Sequence, residues 1–150
     1  LAKQGNEDAI KFKKVSFGAD NYDFSFSGIK TGVINYIHNA NQKNEPICNA
    51  DIAASFQKSV VEVLIENLIS AAKKKGINKI ALAGGVASNS RLRYELESKC
   101  EGMQYYYPSP ILCTDNAAMI ACSAYYEYSE GKRADLSLNA CAYLDISLKD

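Results

Sequence analysis

Residues 83–89, Ala83-Gly84-Gly85-Val86-Ala87-Ser88-Asn89, place two glycines and two polar cap candidates directly after a short apolar run, Lys79 to Ala83. Glycine has no Cβ, so the backbone there can come close to a ligand. A helix beginning just after the glycines would aim free N–H groups at an anion. The pattern suits a nucleotide phosphate or a ribose edge, and Asn89 adds an amide that both donates and accepts. A plain tight turn between strand and helix, capped by Asn89 or Ser88, fits the same residues, because a lone glycine pair is a weak motif.

A second candidate is Cys113-Thr114-Asp115-Asn116-Ala117, which follows a proline-bearing loop and precedes a helical pattern. Ligands of open α/β sheets gather at the carboxyl ends of strands. A carboxylate such as Asp115 at that place suits Mg, Mn, Fe or Zn. The competing reading makes Thr114 or Asp115 an N-cap and nothing more. The sequence holds one histidine, His38, far from Asp115 along the chain, so a complete metal site needs ligands from elsewhere. Phe24-Ser25-Phe26-Ser27-Gly28-Ile29-Lys30 offers Lys30 to a phosphate, but reads more simply as a hairpin exit and a helix start. Ser27 lies in no Gly-x-Ser-x-Gly elbow, and one histidine leaves no convincing triad. Cys113 is a candidate reactive thiol.

The elements that must position these residues follow from periodicity. Leu1 to Lys14 reads as the tail of a helix plus a linker. Val15 to Phe17 and Asp23 to Ser27 alternate apolar and polar residues about a turn at Gly18-Ala19-Asp20-Asn21, which predicts a β-hairpin. Ile29, Val33, Tyr36 and Ile37 form a helical stripe, and Asn39 to Asn49 reads as loop. Asp51 opens a long helix in which Ile52, Phe56, Val60, Val63, Leu64, Leu68 and Ile69 recur at a helical period. Lys73, Lys74 and Lys75 sit in its last turn and Gly76 ends it. That lysine run reads as a helix end rather than an RNA patch. Lys79 to Ala83 is a buried parallel strand, and Arg91 to Cys100 a helix. Met103 to Tyr107 is a second strand. Ala117 to about Ser129 is a helix capped by Thr114-Asp115-Asn116 and closed by Gly131, and weak strand character follows around Ala142-Tyr143-Leu144. The succession of strand, turn, helix, strand, loop and helix predicts an α/β architecture with right-handed crossovers.

The bulk numbers exclude several classes. The 150 residues suit one domain or one lobe of a larger protein. At 47% hydrophobic and 23% charged, the composition is that of a folded globular chain. Lys plus Arg and Asp plus Glu balance at 17 each, so overall charge points to no nucleic acid. Five cysteines, an odd count without a Cys-x-x-Cys pair, argue against a disulfide framework and a cysteine zinc site. No apolar run approaches the ~20 residues a membrane span needs. The opening Leu1, without an initiator Met, is read as the start of a piece of a longer protein.

Four motifs taken together resemble the TsaD family of tRNA N6-adenosine threonylcarbamoyltransferases, older name Gcp, once labelled O-sialoglycoprotein endopeptidases. Residues 24–31 resemble its F-S-F-S-G-[LI]-K-T signature. Asp51 to Gln57 resembles D-I-A-A-S-F-Q. Gly84 to Arg93 is similar to G-G-V-[AS]-[AS]-N-x-x-L-R, and Cys113 to Ala121 to C-T-D-N-[AG]-A-M-I-A. The resemblance implies one α/β lobe of the actin-like ATPase (ribonuclease H-like, ASKHA) fold with an inserted hairpin and helices. Residues 1–150 are then the C-terminal lobe of a two-lobed protein, with the N-terminal lobe absent.

The implied activity moves a threonylcarbamoyl group from threonylcarbamoyl-AMP to N6 of the adenosine next to the anticodon. Gly84, Gly85 and Asn89 are implied to contact ATP or threonylcarbamoyl-AMP, and Asp115 to ligate a divalent metal, Fe first, with Zn or Mg as alternatives. No catalytic residue is assigned. The implied partners are tRNA and TsaB-like and TsaE-like proteins, and the implied location is cytoplasmic. The family's His-x-x-x-His pair, phosphate loop and D-x-x-G-E-x-x-D segment do not occur here, so the chain alone is expected to be inactive and to self-associate through an uncovered face. Competing readings are a nucleotide-binding lobe of another actin-like-fold enzyme, such as a sugar kinase or carbamoyltransferase, and a non-catalytic docking lobe.

Overall fold

In chain order the elements of the computed structural model are α1 (Ser27–Lys43), α2 (Asn49–Lys74), β1 (Lys79–Ala81), α3 (Ser90–Lys99), β2 (Gln104–Tyr106) and α4 (Ala117–Ser129). Short 3-10 turns occupy Ala2–Gln4, Gly85–Ser88 and Pro110–Leu112. The structure describes residues 1–14, 18 and 21–142. They fall into two compact units, Leu1–Thr114 and Asp115–Asp150.

The first unit is organised around α2, which is buried on two faces. Ile52 and Val63, about three turns apart and so on one side of the helix, join Phe12 and Ile29 of α1, with Val33, Ile37 and Phe56 packed against them. Val61, Ile65 and Ala72, on the opposite side, join Ile80 of β1, Leu92 and Leu96 of α3, and Cys100. The apolar stripe of α2 is thus broad because the helix separates two hydrophobic clusters, and each fully buried Val, Ile, Leu or Phe side chain there adds about 1.5–3 kcal/mol. Gly76 stops the helix as its position predicts. It takes φ +65°, and the Gly76 and Ile77 N–H groups donate to the Lys73 and Ala72 carbonyls at 3.2 and 2.9 Å. This pattern satisfies carbonyls that would otherwise be orphaned at the helix end.

β1 and β2 pair in parallel, with Lys79 opposite Gln104, Ile80 opposite Tyr105 and Ala81 opposite Tyr106. α3 connects them, so strand, turn, helix and strand follow one another as the sequence predicts. The result is a mixed helix-and-strand α/β unit.

Three expectations fail for stated reasons. The N-terminal segment is no linker: it lies along α2, where the Asn6 N–H donates to Asp51 Oδ1 at 2.7 Å and the Ile10 N–H to Ser55 Oγ at 3.2 Å. Ser55 Oγ in turn donates to the Asn6 carbonyl at 3.3 Å, and Phe12 is buried. The expected loop at Asn39 to Asn49 is helix through Lys43, because Ala40 is buried and no breaker intervenes until Asn44 turns left-handed at φ 55°. The hairpin's second arm is not a strand. The Tyr22 and Asp23 carbonyls accept from Asn67 Nδ2 at 3.3 Å each, and Ser27 already begins α1. The first arm, Val15 to Phe17, with Ala19 and Asp20 of the turn, lies outside the described residues.

In the second unit α4 begins and ends where expected, with Gly131 at φ +83° beyond it. Its N-cap is Asn116, whose Oδ1 accepts from the Met119 N–H at 2.9 Å. No residue of α4 is buried, and Met119, Ile120, Tyr125, Tyr126 and Tyr128 are all exposed. The strand expected around Ala142-Tyr143-Leu144 falls mainly outside the described residues. Among the described residues no helix is long and apolar enough to cross a membrane.

Candidate functional site

Parallel strands that run side by side deliver their following loops to one edge. At that edge the Leu82 N–H still pairs with the Tyr106 carbonyl at 2.9 Å. Two residues later Gly84 turns the chain at φ +80°, a conformation that glycine adopts without strain. Among the described residues nothing lies within 4 Å of where a Gly84 side chain would begin, and at Gly85 only Thr114 Cγ2 comes as near as 4.0 Å. The space over the glycines is therefore open to a ligand.

The glycines do not lead straight into a helix, contrary to the simplest reading of the sequence. The 3-10 turn Gly85–Ser88 intervenes, closed by the Ala87 N–H donating to the Gly84 carbonyl and the Asn89 N–H to the Val86 carbonyl, both at 3.0 Å. Ser88 Oγ donates to the Gly85 carbonyl at 2.7 Å. α3 then starts at Ser90, and its first N–H groups are answered from within. Asn89 Oδ1 accepts from Arg91 and Leu92 at 2.9 and 3.1 Å. Asn89 is thus the helix cap, and its Nδ2 donates across to Gln57 Oε1 of α2 at 3.3 Å. Nδ2 carries a second hydrogen, which gives the amide a donor for a ligand.

Two recesses lie nearby, the first lined by the start of α3 and the second by the turn itself. One, of about 380 Å³, is lined by Lys3, Gly5, Glu7, Gln57, Arg91 and Tyr94 among others. The other, of about 170 Å³, is apolar and includes Leu82, Ala83, Val86 and Ala87 in its lining.

The polar recess is held by an ion network. The Arg91 guanidinium pairs with Glu7 through both NH groups and with Glu95 at 2.8 Å, and Lys99 reaches Glu95 at 2.9 Å. Lys58 pairs with Asp8 at 2.6 Å and Glu7 at 3.5 Å. The hydrogen bond from Arg91 holds the Glu7 carboxyl below its ordinary value of 4.5. At Glu95 burial pushes upward, but Lys99 and Arg91 outweigh it and the net shift is also down. Both carboxylates therefore contribute stability above pH 4.5 that is lost as pH falls through their lowered values. Arg91→Ala is expected to cost about 2 kcal/mol at neutral pH, since it leaves Glu95 half-paired in a buried position. It is also expected to show a shallower loss of stability on acidification. Urea melts of both proteins across the acid range check this, and equal acid slopes would overturn it.

Sequence reasoning assigned no role to Gln57, Glu7, Arg91 or Arg93. Gln57 closes the Asp51–Gln57 motif, and both arginines lie in the Gly84–Arg93 motif, so position in a motif was the available signal. Nothing in the sequence flags Glu7, which lies 84 residues from Arg91.

The remaining candidates belong to other elements. Asp115 is exposed and opens the second unit. Within the Thr114-Asp115-Asn116 run expected to cap α4, Asn116 takes the position rather than Thr114 or Asp115, because it adopts the extended backbone of a cap while its side-chain oxygen reaches Met119. His38 is on α1, with its Nε2 3.0 Å from Gln42 Nε2. Lys30 borders an apolar groove with Val33, Ile34, Ile37, Ile52 and Phe56. Among the described residues no three His, Cys, Asp or Glu side chains gather to hold a metal ion. The donor set here amounts to one exposed carboxylate, which does not by itself fit a resident metal.

Comparison with known proteins turns this geometry into a family assignment. Residues 1–122 match the family model described as TsaD: tRNA N6-adenosine threonylcarbamoyltransferase. The chain belongs to the TsaD family. It is 56% identical over 142 residues to the tRNA N6-adenosine threonylcarbamoyltransferase of Clostridium beijerinckii, covering 93% of this chain and 42% of that protein. The Clostridium perfringens protein of the same name is likewise 56% identical over the same shares. That of Clostridium botulinum is 53% identical over 148 residues, 97% of this chain and 44% of the relative. The chain thus spans less than half the length of these TsaD relatives. The family match runs through the glycine turn, Asn89, Arg93 and the Cys113 to Ala121 motif.

Proposed function

We propose that the chain is the C-terminal lobe of a two-lobed tRNA N6-adenosine threonylcarbamoyltransferase with the actin-like ATPase (ribonuclease H-like) fold. It would contribute half of the site that moves a threonylcarbamoyl group from threonylcarbamoyl-AMP to N6 of the adenosine beside the anticodon. In this reading the open turn at Gly84 and Gly85 lets backbone close on the nucleotide, and the spare Nδ2 hydrogen of Asn89 donates to it. Asp115 supplies one ligand to a divalent metal, Fe, Zn or Mg, whose other ligands come from beyond this chain. The substrate tRNA and TsaB-like and TsaE-like partners are engaged by the whole protein in the cytoplasm.

The observation that carries the reading is the Gly84 turn. It stands at the carboxyl ends of two parallel strands, with open space above it and the capping amide of Asn89 beside it. Membership of the TsaD family and the activity for which its relatives are named support the same reading. The match to that family favours it over a sugar kinase or another carbamoyltransferase.

Calorimetric titration of ATP with Mg into the chain and its Asn89→Asp form tests the nucleotide half-site. Aspartate keeps an oxygen to cap α3 but loses the donor, so helix stability and ligand contact separate. We expect binding in the parent and about tenfold weaker binding in the variant, the loss of roughly one hydrogen bond plus added repulsion. Equal affinities would sink the assignment of Asn89, and no binding to the parent would sink the half-site. Transfer to tRNA is expected only when the remainder of the protein is supplied.

A further inference from the structure

We infer that Arg93 is a positioning residue that locks the glycine turn to the loop following β2. The inference rests on the nucleotide reading of that turn and names the group that keeps its halves in register.

Arg93 stands one turn into α3, half-buried, and its guanidinium meets three separate pieces of chain. Nε donates to the Ala87 carbonyl inside the Gly85–Ser88 turn at 2.6 Å. Nη2 donates to the Pro108 carbonyl, just beyond β2, at 2.8 Å. The same nitrogen lies 3.3 Å from Cys113 Sγ. The guanidinium carbon also lies 4.4 Å from the centroid of the Tyr107 ring, and the Tyr107 hydroxyl is itself held by Glu97 of α3.

A planar fork with fixed donor directions can satisfy two carbonyls on different loops while lying on an aromatic face, which an ammonium cannot do. Ala87 lies in the loop after β1 and Pro108 in the loop after β2, and among the described residues no other side chain is shown bonding to both carbonyls. Removing the fork takes the N–H donors from the Ala87 and Pro108 carbonyls and one neighbour from the buried Cys113 thiol. The turn is then free to shift relative to the Pro108–Cys113 loop, and small displacements of a binding turn cost affinity out of proportion to their size.

Cys113 makes the clamp observable. Its thiol is 3% exposed and lies against Arg93 and the Ser109 carbonyl. Cys100 is equally buried at 4%, but in the α2–α3 core, so it reports general unfolding. Cys48, Cys122 and Cys141 are exposed and react at once.

The experiment follows alkylation of each cysteine by peptide mass spectrometry in the unsubstituted chain, Arg93→Ala and Arg93→Lys, with ATP affinity measured on the same samples. Arg93→Ala is expected to speed Cys113 alkylation about tenfold with Cys100 unchanged, and to weaken ATP by about tenfold. Arg93→Lys, which keeps the charge and can reach one carbonyl, is expected to recover part of both. Unchanged Cys113 reactivity with ATP binding intact overturns the clamp and leaves the nucleotide reading standing. Equal acceleration at Cys100 overturns it in favour of a merely structural role. Faster alkylation confined to Cys113 in a chain that binds no ATP in any form supports the clamp and overturns the nucleotide reading instead.

Discussion

Gly5→Ala is expected to lift the N-terminal segment off α2. A Cβ at Gly5 would sit 2.0 Å from the Ala50 carbonyl oxygen, 2.2 Å from its carbon and 2.6 Å from the Asp51 nitrogen. All three are backbone atoms in the first turn of α2, so no side chain can swing aside. One of the two segments has to move. Overpacking of this kind costs about 1–3 kcal/mol, occasionally more. Here the displacement also strains the bonds from Asn6 to Asp51 and from Ile10 to Ser55. We expect a loss near 3 kcal/mol, read as a urea midpoint lower by about 1–2 M. Because Gly5 and Glu7 line the polar recess, the pairing of Glu7 with Arg91 should weaken too. Gly85→Ala is the control. Its new methyl would meet only Thr114 Cγ2 at 4.0 Å and carries no left-handed backbone strain, so its stability should stay within about 0.5 kcal/mol. Equal midpoints for the two variants would show that the segment does not pack as described.

Leu96→Ala is expected to cost as much from within the core. Leu96 is fully buried on α3, in the cluster with Val61 and Ile65 of α2 and Ile80 of β1. Truncation removes apolar contact and leaves a cavity that a helix wedged between two partners cannot easily fill, which costs about 3 kcal/mol. α3 also carries Asn89 at its cap and Arg93 in its first turns, so ATP affinity should fall with stability. Leu112→Ala, at 48% exposure, should stay within about 0.5 kcal/mol. Thermal or urea melts of the pair decide the matter. A cost below about 1 kcal/mol at Leu96 would mean that α3 is not docked on α2 and β1.

The elements legible in the sequence are those whose signal is local. The apolar period of Ile52 to Ile69 and the stop at Gly76 marked α2 to within two residues at either end. Asn116 and Gly131 framed α4. The apolar runs before Gly84 and Pro108 marked β1 and β2. The hairpin failed because alternation at Asp23 to Ser27 describes a side-chain pattern and says nothing about where the carbonyls bond. Asn67, 44 and 45 residues away, took the Asp23 and Tyr22 carbonyls. The loop expected from Asn39 failed because Ala40 carries too little apolar signal to extend a stripe, although its burial does extend the helix.

The candidate site divides along the same line. The sequence by itself determined the family, the strand and glycine turn, and Asn89 as a cap candidate, since each depends on residues within a few positions of one another. Only the tertiary structure decided that the polar wall at the start of α3 comes from Glu7 and Gln57, 84 and 32 residues from their partners Arg91 and Asn89. It alone joined Arg93 to the Ala87 and Pro108 carbonyls. The physical reason is that backbone propensity, capping and periodicity act over one or two turns of chain. Which distant side chain meets a cap or a guanidinium is settled by how α2 divides the core and which residues its two buried faces draw together.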